Sequence, residues 1–304
     1  MKVTWEEYKN LVTEDIKSRS QYIYRGQSNS SWMLQTSIHR TKQVRTFEDF
    51  KAYFVFVIPQ IQEQVEAWDG KNRDLSDPIE MAQFIAFLQH NGFPTPLLDW
   101  SFSPYVAAYF AFEGVNHFEP VSEEVALYSF DQNQWMNTFK QIYQYDDENE
   151  GHVTILRPTF RNNHKQMLQQ GIFWFTNCAD PEAHVRLNET KERTFLKKYT
   201  LSVKERSNVM LDLELMGVTA MQLAPGIESV CKKAFESICN KFPVGETPLD
   251  RSVNQGGGSG SNDFLVEAER VENTRAYINC PECNIKLNPK NLKKHLKSQH
   301  NNKC

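Results

Sequence analysis

Residues 89–112 read QHNGFPTPLLDWSFSPYVAAYFAF, and the fold turns on how this stretch divides. Asn91-Gly92 stops a helix, because asparagine and glycine tolerate the left-handed backbone that closes one. A proline-rich turn follows, then the short apolar run Leu97-Leu98-Asp99-Trp100. Ser103 has a capping side chain, and Pro104 fits the first turn of a second helix, where its missing N–H is not needed. Asp99, Trp100 and Ser101 therefore fall on a strand end or the turn after it. An aspartate, an indole and a hydroxyl so close together suit a ligand site. The alternatives are an Asp99 that caps its own turn and a Trp100 that belongs to the core.

Working outward, Thr4 and Glu7 form a capping-box pattern ahead of Trp5, Tyr8, Leu11, Val12 and Ile16 at helical spacing. Gln21 to Gln27 (QYIYRGQ) is β-prone and breaks at Arg25-Gly26. An arginine beside a glycine that lets another group approach the backbone suits an anion, or else pairs with a surface carboxylate. Residues 28–45 read as a loop with one short strand or turn. Thr46 and Asp49 cap a helix to about Glu66 whose face is Phe47, Phe50, Phe54, Ile58 and Ile61. Asp77-Pro78 and Glu80 start the helix that ends at Asn91. Further on, 125–130, 153–156, 172–176 and 194–203 read as strands, 131–150 as a surface excursion, and 164–170, 207–216 and 226–240 as helices. Strands and helices mix without a regular βαβ repeat, which predicts an α+β fold with a mixed sheet core and surrounding helices.

No run of eighteen apolar residues occurs among the 304, and the N-terminus MKVTWEEYKNL lacks an apolar signal region. The six cysteines are too sparse and uneven for a disulfide framework. Both features predict a soluble protein of a reducing compartment, the cytoplasm. The net charge of −4 is uneven: from Cys280 onward six lysines face one acid, so the tail carries +5 and the preceding residues −9. Body and tail are thus suited to different partners.

Four stretches together resemble the FRG domain family: Tyr24-Arg25-Gly26-Gln27, the stretch 89–112, Gln169-Gln170-Gly171-Ile172-Phe173, and MLDLELMGV with LAPGIES within 210–229. The resemblance extends over about residues 15–240. One departure is Pro96, where the family pattern leads us to expect an arginine. More distantly, the order of Tyr24-Arg25-Gly26, Asp99-Trp100-Ser101 before VAAYFAF, and Gln169-Gln170-Gly171 is similar to that of ADP-ribosyltransferase folds. That likeness implies NAD as substrate, with Arg25, Asp99, Ser101 and Gln170 as candidates for the chemistry. Tyr24, Gly26, Gln27, His90 and Trp100 would hold the ligand, Trp100 offering an aromatic face to nicotinamide. Breaking the nicotinamide–ribose bond develops positive charge on the sugar, which a carboxylate stabilises. Gln170 stands where such transferases place a carboxylate, and Glu182, Glu189 and Glu192 follow too loosely to be assigned. His90, at a helix C-terminus, is expected to favour its cationic form. Two function classes stay open: an NAD-consuming or ADP-ribosylating effector of defence or toxin type, and a non-catalytic adaptor that binds a nucleotide-type or peptide ligand.

The C-terminal pattern is Cys280-x2-Cys283-x11-His295-x4-His300. Two thiolates on a knuckle and two imidazoles on one helix close a tetrahedron around Zn²⁺ with no open position, which makes the metal structural. The segment resembles a C2H2 zinc finger, a small ββα unit. Lys290, Lys293, Lys294 and Lys297 form a basic face, suited to nucleic-acid phosphates or simply solvated on a protein-binding finger. The predicted organisation is an FRG-like domain over 1–241, a flexible linker over 242–272 that contains GGGSGS, and the finger over 273–304.

Overall fold

The computed structural model describes residues 1–18, 20–143, 150–157, 164–245, 278–279 and 286–287. The chain divides into two units, Met1–Pro248 and Leu249–Cys304. In the first, the Thr4–Glu7 capping box opens helix α1 (Trp5–Lys17), which buries Trp5, Tyr8 and Val12. Strand β1 (Tyr22–Gln27) follows, then the one-turn helix α2 (Ser37–Arg40) within the stretch read as a loop with one short strand or turn. The single helix expected from Thr46 to Glu66 is three pieces: α3 (Phe47–Ala52), a π-helical turn (Tyr53–Val57) and α4 (Ile58–Asp69). Pro59, in the first turn of α4, has no N–H to return to the carbonyl four residues back, so a regular α-helix cannot pass through it unbroken.

Helix α5 (Pro78–His90) starts at Asp77, whose carboxylate accepts from the N–H of Ile79. Strand β2 (Leu97–Ser101) and helix α6 (Pro104–Glu113) come next, and the Ser103 hydroxyl accepts from the N–H of Val106. Strand β3 (Glu124–Asp131) runs into helix α7 (Gln132–Thr138). The surface excursion expected from 131 thus begins with a helix that anchors a buried Trp135, whose indole N–H donates to the Val153 carbonyl at 2.9 Å. Strand β4 (Val153–Leu156), helix α8 (His164–Leu168), strand β5 (Gly171–Thr176), helix α9 (Pro181–Leu187) and strand β6 (Leu196–Ser202) complete the sheet region. Helices α10 (Arg206–Leu215), α11 (Ala220–Leu223) and α12 (Ile227–Cys239) close the unit.

The fold is α+β, with one six-stranded sheet in the order β4-β5-β2-β1-β3-β6. Every pairing between its strands is antiparallel, where a mixed sheet was expected. The long helical connection between β1 and β2 returns the chain beside β1 in the opposite direction, so it is not a parallel crossover. One face of the sheet carries two groups of helices. Helices α1, α6 and α10 pack against Tyr24, Leu127, Tyr199 and Leu201. Helix α5 and the α3–α4 region pack against Leu97, Phe173 and Phe175. The opposite face buries Ile23, Leu98, Trp100, Tyr128, Phe130 and Trp174. Among the described residues no helix is long and apolar enough to cross a membrane. In the second unit, strands β7 (Ile278–Asn279) and β8 (Lys286–Leu287) form an antiparallel pair.

Candidate functional site

Successive residues of a strand point to opposite faces, and β2 keeps to this alternation. Leu98 and Trp100 enter the core, Trp100 lying 4.4 Å from Trp174 between ring centroids. Leu97, Asp99 and Ser101 take the other face, where the two helix groups leave a gap. In that gap is a cavity of about 420 Å³. Its floor is Tyr24, Gly26, Asp99, Ser101, Gly171 and Phe173. Gln89 and His90 of α5 form one wall, Phe110 of α6 the other, and Lys165 and Gln166 of α8 stand at the end.

The sheet itself opens beneath this cavity. Strand β1 pairs with β3 along its whole length, and β2 with β5 likewise, yet β1 and β2 meet in register only at Tyr24 and Ser101. Beyond that pair the strands separate, and the Asp99 carbonyl faces a gap where a backbone donor would otherwise stand. Arg25 fills the gap, its Nη1 donating to that carbonyl at 2.6 Å. Arg25 thus substitutes for the strand donor that this carbonyl would otherwise have. Burial is the main cause that lowers the Arg25 pKa, and the Arg40 charge acts in the same direction against the Asp99 carboxylate.

The Asp99 side chain is exposed to the cavity. The Thr95 hydroxyl donates to Gln89 Oε1, and Gln89 Nε2 donates to Asp99 Oδ2 at 2.9 Å. Because the first bond fixes which end of the amide is oxygen, the second fixes the carboxylate and leaves Oδ1 without a donor among the described residues. Neither Gln89 nor Thr95 stood out in the sequence; the only signal was a polar pair flanking the helix stop.

Other expected site residues lie elsewhere or are already engaged. Trp100 belongs to the cavity lining with Tyr24, Phe110 and Phe173, but it is buried and its ring packs against Trp174 and Phe130 in the core. The Ser101 hydroxyl donates to the Gln169 carbonyl at 2.8 Å and accepts from the N–H of Ser103 at 3.0 Å, which braces the turn into α6. Gln170 is outside the cavity lining; it takes a left-handed backbone, φ 49°, ahead of Gly171. Gln166 and Gln169 line the cavity instead. Gly26 does admit a close approach, but the approaching group is α6: a Cβ there would overlap the Ala107 carbonyl oxygen and lie 2.8 Å from Ala111 Cβ. Gln27 is buried and donates to the Met33 carbonyl at 3.2 Å. Tyr24 is buried within the α1–α6 core, and burial raises its pKa above the usual phenol value. His90 lines the cavity, but burial and the Lys165 charge lower its pKa, which favours the neutral ring over the cation expected from the helix terminus.

Cys280, Cys283, His295, His300 and the four lysines lie outside the described residues. The described residues hold no cluster of three or more metal-ligating side chains. No curated protein and no solved structure gives a significant match to this chain. One protein family does match, and its residues run from the start of β1 through α6, so they include Arg25, Gln89, Asp99 and Phe110 but neither the 169–173 nor the 210–229 motif. Residues 20–119 are an FRG domain.

Proposed function

We propose that the cleft between α5 and α6 binds a nucleotide of the NAD type and promotes cleavage of its nicotinamide–ribose bond. The observation that carries this reading is the Asp99 carboxylate, exposed on the cleft floor, oriented through Gln89 and Thr95, with Oδ1 left for a ligand. As the C1′–N bond breaks, its electron pair leaves with neutral nicotinamide and positive charge develops on the ribose. A carboxylate fixed beside C1′ stabilises that charge without reorganising. Water then attacks C1′ and loses a proton to give ADP-ribose; an acceptor hydroxyl in its place gives transfer. Lys165 at the rim suits the pyrophosphate, and Phe110 suits the nicotinamide ring. Arg25 acts as a positioning residue, since its Nη1 is committed to the Asp99 backbone.

Purified protein incubated with NAD, with and without nucleic acid, should release nicotinamide. Asp99→Asn should slow release on the order of 10²-fold or more. Release at an unchanged rate in that variant would sink the assignment of Asp99.

A second reading has its own support: of the four candidates for the chemistry, Ser101 is engaged in a turn, Gln170 lies off the cleft and Arg25 is committed to the backbone. A cleft with one carboxylate also suits an adaptor that binds a nucleotide-type or peptide ligand without turnover. Saturable ADP-ribose binding without nicotinamide release would favour it. In either case the Cys280, Cys283, His295 and His300 set suits a structural Zn²⁺. The finger would then recruit nucleic acid through Lys290, Lys293, Lys294 and Lys297, or a protein.

A further inference from the structure

Beside the cleft lies a second cavity of about 280 Å³, lined by Ser37 and Arg40 of α2, Gly92 and Phe93 after α5, and Leu97 to Asp99 of β2. Arg25, Gln89 and Asp99 line both cavities, so the Gln89–Asp99 hydrogen bond and the Arg25 guanidinium form the partition between them. The charged side chains of the second cavity are Arg25, Arg40 and Asp99, two cations against one carboxylate whose Oδ2 is already held by Gln89.

The two arginines differ in how their donors are used. Arg40 is exposed and gives Nη1 to the Gln35 carbonyl at 2.6 Å. Arg25 gives Nη1 to the Asp99 carbonyl, while its buried Nε–H has no acceptor among the described residues. The Nε–Nη2 edge is the side of a guanidinium that grips an oxyanion with two parallel hydrogen bonds. A buried donor left unmatched, next to a second arginine of like charge, is an unfavourable arrangement in the absence of an anion. We propose that the second cavity is an anion subsite that takes a phosphate-class group between Arg25 and Arg40. It requires no NAD turnover, so it stands or falls separately from the reaction assigned to the cleft.

Inorganic phosphate titrated into the full chain at fixed ionic strength, followed by calorimetry or phosphorus NMR, tests the proposal. Saturable binding is expected for the unaltered protein, weakened at least tenfold by Arg40→Gln and retained by Arg40→Lys, which keeps the charge. Lys71→Gln, at a residue that lines neither cavity, should leave it unchanged. Absence of saturable binding would overturn the proposal. So would binding that Lys165→Gln abolishes and Arg40→Gln does not, since the anion would then sit in the cleft.

Discussion

Gly26 decides between two accounts of the Tyr24-Arg25-Gly26-Gln27 motif. If the glycine is there for a ligand to approach the backbone, Gly26→Ala should leave stability intact and impair only binding. The structure requires the reverse, because the space above Gly26 is filled by α6. An alanine Cβ would overlap the Ala107 carbonyl and come within 2.8 Å of Ala111 Cβ and 2.9 Å of Ala111 N. The Ala111 Cβ contact is roughly 0.7 Å inside an optimal carbon–carbon separation. Two of the three groups are helix backbone, so no rotamer change relieves the overlap, and α6 must move away from β1. Overpacking of this kind costs about 3 kcal/mol, which lowers the melting temperature of a unit this size by roughly 6–12 °C. Circular dichroism melts of the two proteins measure it. Gly26→Ala melting within about a degree of the unaltered protein would refute the helix contact and return Gly26 to the ligand.

Burial, with the His184 charge adding to it, lowers the His152 pKa to about 4. The unfolded chain therefore binds the extra proton between about pH 6.5 and 4, and stability contributed by the neutral ring is lost as pH falls through that window, up to about 3 kcal/mol. Urea titrations across that range should show His152→Gln losing less stability on acidification than the unaltered protein; parallel profiles would contradict the buried-imidazole assignment. For the C-terminal unit, elemental analysis should find one zinc per chain, lost on chelation or in Cys280→Ser, while the melt of the unit Met1–Pro248 stays in place. A chain that binds no zinc, or whose first unit melts with its removal, would contradict the finger.

Local signals were legible because each needs only neighbouring residues. The capping side chains of Thr4, Thr46, Asp77 and Ser103 begin helices where the sequence places them. Gly92 and Gly217, both left-handed, end α5 and α10 as their sequence positions imply. What sequence could not supply was the partner of each polar group. Asp99 and Trp100 looked like one constellation, yet adjacent residues in a strand face opposite ways: the Asp99 carboxylate opens to the cleft while the Trp100 ring packs in the core. Gln170 looked like a site residue because it stands where the third transferase-like motif places a carboxylate, whereas it takes a left-handed backbone outside the cavity lining. Gln89 and Thr95 were invisible as a pair because what joins them to Asp99 is a path through space, from the end of a helix across a turn to the next strand.

The irregularity of the sheet and the position of the site have a common cause. Were β1 and β2 paired beyond Tyr24 and Ser101, the Asp99 carbonyl would accept from a strand backbone and Arg25 would have no gap to occupy. The two cavities that now share Arg25 and Asp99 would then lose their common wall. The separation costs backbone hydrogen bonds, and a single guanidinium at 2.6 Å offsets part of that loss. Arg25 therefore cannot be read by alanine substitution alone. Arg25→Ala removes a cation and also takes the partner from the Asp99 carbonyl, so lost activity in that variant would not distinguish a ligand contact from a disturbed strand. Arg25→Lys sharpens the comparison: an ammonium can still donate to the Asp99 carbonyl but cannot grip an oxyanion through two fixed parallel bonds. A near-normal melt with weakened phosphate binding in that variant would separate the two roles of one side chain.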